Sequence, residues 1–188
     1  MLKQAPINMN AKRSIALIVS TLLRLMEEKP FKDITISAIT KHAGIVRNTF
    51  YAHFESKEDV LTYHIYTIFN DQFKAYAGDT EIDNAQFVPI YFNIWSKEVS
   101  LLQVLEKNDL LSLLNLMDTQ FEYFCYTYFA ADECDLSELG TKYANAVYAD
   151  MLASILKRWI RSGMEETPEE MSAVFLELLG LEYMRTQT

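Results

Sequence analysis

ITISAITKHAGIVRNTFYAHFESKEDVL, residues 34–61, packs three helical runs between stop-and-start residues. The Thr35 hydroxyl can accept a backbone N–H and so open a helix over Ile36–His42. Ala43-Gly44 closes that run, because Gly accepts the left-handed backbone a tight turn needs. A second run, Arg47–His53, follows after a short turn. Ser56 starts a third, with Asp59 in the capping-box position.

Two short helices joined by a Gly-containing turn of three or four residues form a helix-turn-helix, whose second helix enters a DNA major groove. The inward set reads Ile36, Ile39, Ala43, Ile45, Phe50 and Phe54. That leaves Thr35, Ser37, Arg47, Asn48, Thr49, Tyr51, His53 and Lys57 to face outward. Such a face suits double-stranded DNA. Arg can bond bidentately to guanine and Asn to adenine, while Thr and Tyr hydroxyls reach phosphate. Upstream, Ile15, Leu17, Ile18, Leu22, Leu25 and Met26 recur at helical spacing, in a run that ends at Glu27-Glu28-Lys29-Pro30. This first helix is expected to bury the backs of the two short ones. Residues 1–10, with Pro6 and two Asn, read as an arm.

The net charge of −9 over 188 residues speaks against a polyanionic partner if taken whole. It is unevenly spread. Residues 1–60 hold nine Lys/Arg against six Asp/Glu, a net of +3; residues 61–188 hold eight against twenty, a net of −12. A mildly basic head neutralises few phosphates, which favours a dimer that sums two heads. Half the residues are hydrophobic, with eleven Phe and eleven Tyr but only five Gly and four Pro. With no alternating strand pattern, the expected fold class is all-α.

The quoted stretch resembles the N-terminal domain of TetR-family one-component transcriptional regulators. The residues that carry the resemblance are Phe31, Ile34-Thr35, Ile39, Ala43-Gly44-Ile45, Arg47-Asn48-Thr49-Phe50-Tyr51, His53-Phe54, Ser56-Lys57-Glu58 and Val60-Leu61. The match spans roughly residues 11–65 and fixes spacing and residue type together. The resemblance implies that Arg47, Asn48, Thr49 and Tyr51 lie in or beside the groove. It implies that Thr35, Ser37, His53 and Lys57 hold phosphates, with Arg47 and Asn48 foremost for base readout. One position departs: Val46 stands where such proteins usually carry Ser or another capping residue. Val cannot cap, and a lost cap costs about 0.5–2 kcal/mol.

A long helix is expected from Ser56 to about Ala77, its first turns in the head and its last in the body, with Gly78-Asp79-Thr80 as the break. The head is taken as residues 1–60 and the body as 61–188. In the body, residues 86–106 read as a helix with Pro89 near its start or at a kink. Residues 109–130 read as another, and residues 131–136 as an acidic loop. Ser137 caps a run to about Ser162, stopped by Gly163. Thr167-Pro168-Glu169-Glu170 opens the last helix, to about Met184, with a Thr cap, Pro at the first helical position and Glu170 in the capping box. The tail Trp159–Gly163–Thr167–Met171 resembles a C-terminal module of a TetR-like subgroup that includes activators of dihydroxyacetone kinase genes. In TetR-like proteins the last two helices pair with a twin's. That assigns Tyr148, Leu152, Ile155, Trp159, Val174, Phe175 and Leu178 to a homodimer interface. Phe87, Tyr91, Trp95, Met117, Phe121 and Tyr128 can line a pocket for an apolar or aromatic small-molecule effector, or fill a core.

No nucleophile–base arrangement, metalloprotease motif, phosphate-cradling Gly loop or dinucleotide fingerprint stands in the chain. Three His and the two cysteines, Cys125 and Cys134, lack metal-ligand spacing, so neither an enzyme nor a cofactor is expected. No stretch has the roughly 18 apolar residues of a membrane span, and the first residues lack a signal-peptide pattern, so cytoplasm is expected. The reading is a dimeric, ligand-responsive repressor of transcription. The alternative is a TetR-like coactivator that binds another protein.

Overall fold

The computed structural model describes residues 9–78, 82–117 and 137–179. Regular structure among them is helical: α1 (Met9–Glu28), α2 (Ile36–Ala43), α3 (Arg47–Tyr51), α4 (Lys57–Ala77), α5 (Asn84–Ser96), α6 (Val99–Lys107), α7 (Glu138–Arg161) and α8 (Pro168–Leu178). Short 3-10 turns occupy Phe31–Asp33 and Leu111–Met117. The chain divides into two compact units, Met1–Thr67 and Ile68–Thr188, with the division inside α4.

In the first unit α1 packs on α2 and α3, which also pack on each other. Ile18, Leu22, Leu25 and Met26 of α1, Ile39 of α2, and Phe50 and Phe54 at the second short helix are buried together with Val60 and Leu61. Leu17 shares the apolar spacing but lies on the exposed side of α1. Ile36, Ala43 and Ile45 are half-buried rather than core. Phe54 meets Tyr63 of α4 edge-on at 5.6 Å between ring centroids, which ties the end of the second short helix to the third run.

In the second unit α5 lies along α8, and α7 meets α6 and the 3-10 turn. The expected helix over 86–106 is two helices. Asp83 and Gln86 form a reciprocal capping box that starts α5 ahead of Pro89. The backbone then tightens at Lys97 and Glu98, whose N–H groups donate to Ile94 and Trp95 carbonyls, before α6 begins. The next helix was expected near residue 109. Instead Asp109 takes the left-handed conformation (φ 58°), and Leu110 N–H returns to the Leu105 carbonyl at 2.8 Å. Asp and Asn tolerate that conformation without Gly, so Asn108-Asp109 ends α6. The described part of the expected 109–130 helix is a 3-10 turn.

The last two helix starts agree with the sequence. Ser137 accepts from Gly140 N–H at 3.1 Å. Thr167 accepts from Glu170 N–H at 3.2 Å while Glu170 accepts from Thr167 N–H at 2.8 Å, with Pro168 next to the cap. Gly163 (φ 90°) and Met164 (φ 56°) form the stop after α7. The Trp159 indole N–H donates to the Glu166 carbonyl at 3.1 Å and so pins the connecting loop.

Candidate nucleic-acid interface

The turn between α2 and α3 is Gly44-Ile45-Val46. Gly44 is left-handed (φ 66°); its N–H donates to the Lys41 carbonyl and Ile45 N–H to the Thr40 carbonyl at 3.0 Å. These two bonds make a Schellman stop, which satisfies carbonyls that a helix end leaves open. The chain leaves it in extended conformation and re-enters a helix at Arg47, so α3 emerges with a defined direction.

Arg47, Asn48 and Tyr51 are exposed on α3, while Thr49 and His53 are half-buried. Phe50 is the inward anchor, edge-on to Tyr51 at 5.6 Å and tilted against Phe54 at 6.0 Å. The structure therefore presents Arg47, Asn48 and Tyr51 as one outward face held by one buried ring. His53 lies against the Phe54 ring at 6.5 Å.

Thr35 and Ser37 are exposed at the start of α2. Thr35 caps α2 by accepting from Ala38 N–H at 3.1 Å. Accepting one bond leaves its hydroxyl proton able to donate to a phosphate oxygen. Ser56 caps α4, with Asp59 accepting from Ser56 N–H at 2.9 Å, as the spacing predicted.

Lys57 is placed differently from the expectation of a phosphate ligand. Its Nζ donates to the carbonyls of Phe31 (2.5 Å), Ile34 (2.9 Å) and Lys32 (3.4 Å) and sits 4.2 Å from the centre of the Phe31 ring. Three carbonyl acceptors match the three ammonium protons, because the 3-10 turn brings the carbonyls of Phe31, Lys32 and Ile34 to the start of α4, that of Phe31 accepting from Ile34 N–H as well. Sequence spacing could not reveal this clamp, since Phe31 and Lys57 are far apart in the chain.

Val46 is the N-cap of α3, and its side chain makes no cap hydrogen bond. It is 68% exposed.

In the body, Phe87, Tyr91 and Trp95 are buried and brought together. Phe69 stacks on Trp95 at 6.1 Å and on Phe73 at 5.9 Å, and tilts against Tyr91 at 5.8 Å. Burial pushes the Tyr91 phenol above its ordinary value, and the nearby Trp95 side chain acts in the opposite direction. Even so, Trp95 Nε1 has no hydrogen-bond partner of good geometry among the described residues. The backbone of Met117 is in the 3-10 turn, and Phe121 and Tyr128 lie outside the described residues, as do Cys125 and Cys134.

The residues assigned to a dimer interface separate into two sets. Leu152, Trp159 and Phe175 are buried within the unit, so they are not surface for a twin. Phe175 meets Phe92 at 6.4 Å and Tyr148 at 5.2 Å, and Trp159 meets Phe92 at 5.9 Å. Tyr148 and Ile155 are partly covered. Val174 (45%) and Leu178 (64%) are exposed, as are Leu139, Tyr143 and Val147 on α7, which the sequence reading did not single out. The missed signal is their own spacing of four, an apolar row on the face opposite Leu152. No described helix is long and apolar enough to cross a membrane.

A helix-turn-helix with an outward Arg-Asn face, followed by a helical body, defines a DNA-binding regulator of transcription. Comparison with known proteins agrees. Residues 18–63 match the family described as bacterial regulatory proteins, tetR family, and residues 86–180 match the transcriptional regulator C-terminal region. The chain belongs to the tetR family. The HTH-type transcriptional regulator EthR of Mycolicibacterium smegmatis is 50% identical over 46 residues, 24% of this chain and 21% of that protein. EthR of Mycobacterium tuberculosis is 48% identical over 44 residues, 23% of this chain and 20% of its own. The matched segment thus spans about a fifth of these relatives' length. Two solved structures share the fold at 18% identity. NalD, the secondary repressor of the MexAB-OprM multidrug efflux pump in Pseudomonas aeruginosa, has a TM-score of 0.55 over 89% of this chain and 94% of its own. The fatty acid degradation regulator FadR of Bacillus halodurans has a TM-score of 0.50 over 94% and 96%.

Proposed function

We propose that this protein is a cytoplasmic repressor that binds a palindromic operator as a homodimer and leaves it when a small-molecule effector binds the body. The observation that carries the reading is the α3 face, where Arg47 and Asn48 are exposed while Phe50 anchors the helix from behind. A helix so held can enter the major groove with its first residues on base edges. Thr35 and Ser37 at the start of α2 then flank the groove as phosphate donors, with Thr49, Tyr51 and His53 beside them. On this reading the DNA-binding domain is residues 1–60 and the effector-binding and dimerisation domain is residues 61–188.

Dimerisation is supported by the exposed apolar side chains of α7 and α8, with Val174 and Leu178 the retained members of the expected interface. Leu178→Glu is expected to shift the protein to monomer in sedimentation while leaving its helix content unchanged. The effector is read as an apolar or aromatic molecule with one hydrogen-bond acceptor. It would sit near Phe87, Tyr91 and Trp95, where the Trp95 indole N–H can meet the acceptor. Because α4 belongs to both units, a rearrangement of the body that shifts α4 changes the spacing of two heads. A ligand acts this way only if it binds the released state more tightly than the DNA-bound one.

The test is selection of sites from random duplex DNA at low salt. Enrichment of a palindrome, with affinity falling steeply as salt rises, supports the reading. The absence of enrichment turns the assignment to a coactivator that docks another protein, the output to which the tail's resemblance to the dihydroxyacetone kinase activator subgroup points.

A further inference from the structure

Val46 breaks a local rule and repairs nothing nearby. It holds the N-cap of α3 in extended conformation (φ −84°, ψ 155°), yet its side chain makes no cap hydrogen bond. It fills no core either, being 68% exposed. The structural duty of the position is met by its main chain: the Val46 carbonyl accepts from the N–H groups of Thr49 at 3.0 Å and Phe50 at 3.4 Å. Any residue supplies that carbonyl. An isopropyl group at the cap therefore costs helix stability and, being mostly exposed, returns little packing within the unit. Departures of this kind collect at functional sites.

What the side chain can do is bounded by its chemistry. Val has no donor for a phosphate and no donor or acceptor for a base edge. The one apolar group displayed in the major groove is the C5-methyl of thymine, which apolar side chains read by contact. Val46 directly precedes the exposed Arg47 and Asn48. Its β-branched side chain is stiff at χ1, so little freedom is lost when it is ordered against a partner. We propose that Val46 is a specificity-determining residue whose isopropyl group packs on a thymine methyl in each half-site, beside the bases read by Arg47 and Asn48. This rests on the reading of α3 as the groove-entering helix.

The experiment replaces, one at a time, each thymine of the selected duplex by deoxyuridine, which removes the 5-methyl and leaves the hydrogen-bonding edge unchanged. Affinity is measured by fluorescence anisotropy for the wild-type protein and for Val46→Ser. The Ser variant restores a capping side chain and so does not endanger the fold. The wild type is expected to lose about fourfold in affinity at one thymine of each half-site, the worth of one buried methyl. Val46→Ser is expected to bind thymine and uracil equally there while responding like the wild type at every other thymine. The proposal is overturned if uracil equals thymine throughout the site for the wild type, or if Val46→Ser discriminates as the wild type does. Failure to select any site overturns the groove reading and this proposal with it.

Discussion

The head and the body use aromatic side chains in opposite ways. In the head the buried rings are Phe31, Phe50 and Phe54, and Phe50 points inward so that Arg47, Asn48 and Tyr51 beside it on α3 can stay exposed. In the body Phe69, Phe73, Phe87, Phe92, Trp95 and Phe175 are all buried and lie edge to face or stacked on one another. Such pairs prefer offset or T-shaped geometry, and each buries a large apolar area. The head thus offers its chemistry on its surface, and the body keeps its own inside. Exposed polar residues on short capped helices therefore show in the sequence, whereas the body's chemistry depends on long-range packing.

The largest expected effects break this contrast directly. Phe92→Ala removes a ring that touches Tyr91, Trp159 and Phe175 and should cost the body about 3–5 kcal/mol. Phe50→Ala should cost the head a similar amount. Hydrogen exchange reports the two units separately. Phe92→Ala is expected to lower protection in α5, α7 and α8 while α2 and α3 keep theirs, and Phe50→Ala to do the reverse. Equal loss in both units for either variant would mean that the two unfold as one.

Lys57 sharpens the contrast within the head. Lys57→Met removes the bonds to three carbonyls and should lower the head's stability by roughly 2 kcal/mol, as for hydrogen bonds to a charged group. Its base preferences should be unchanged. A variant that is as stable as the wild type but binds DNA more weakly, with a shallower salt dependence, would show that Lys57 leaves its carbonyls for a phosphate.

The smallest effect is in the body and appears only at high pH. Burial holds the Tyr91 phenol above its ordinary value of 10.0. The folded state therefore keeps a proton that the unfolded state releases. Stability is unaffected below about pH 10 and falls as pH rises from there toward the folded value, by at most about 1.4 kcal/mol per pH unit. Urea unfolding of wild type and Tyr91→Phe across pH 8 to 11 checks this, with the variant expected to lose that component of the decline. Parallel curves would place the phenol in contact with water.

Local chemistry made much of the fold legible. The caps at Thr35, Ser56, Ser137 and Thr167 and the stops at Gly44 and Gly163 can be read in the sequence because each depends on residues within one turn. The break at Lys97-Glu98 could not, since no Gly or Pro marks it, and Asn108-Asp109 hid a left-handed stop in residues that also start helices. Burial on α7 was the harder problem. Leu152, Leu156 and Trp159 face the core while Leu139, Tyr143 and Val147 face outward, and an apolar residue at helical spacing looks the same in either place. The interface residues named from the stripe were therefore partly core. At the candidate site, Arg47 and Asn48 were legible because exposure follows from the position of Phe50. The commitment of Lys57 was not, because it depends on a turn distant in the chain.

On the function proposed, α3 reads sequence through Arg47 and Asn48. The most direct test is the base-preference profile of Arg47→Ala, measured by selection from random duplex DNA beside the wild type under one salt condition. Preference at one position of each half-site is expected to relax by about 1–3 kcal/mol, with the remaining positions unchanged. An unchanged profile, or a uniform loss of affinity at every position, would contradict the claim and leave Arg47 a phosphate contact.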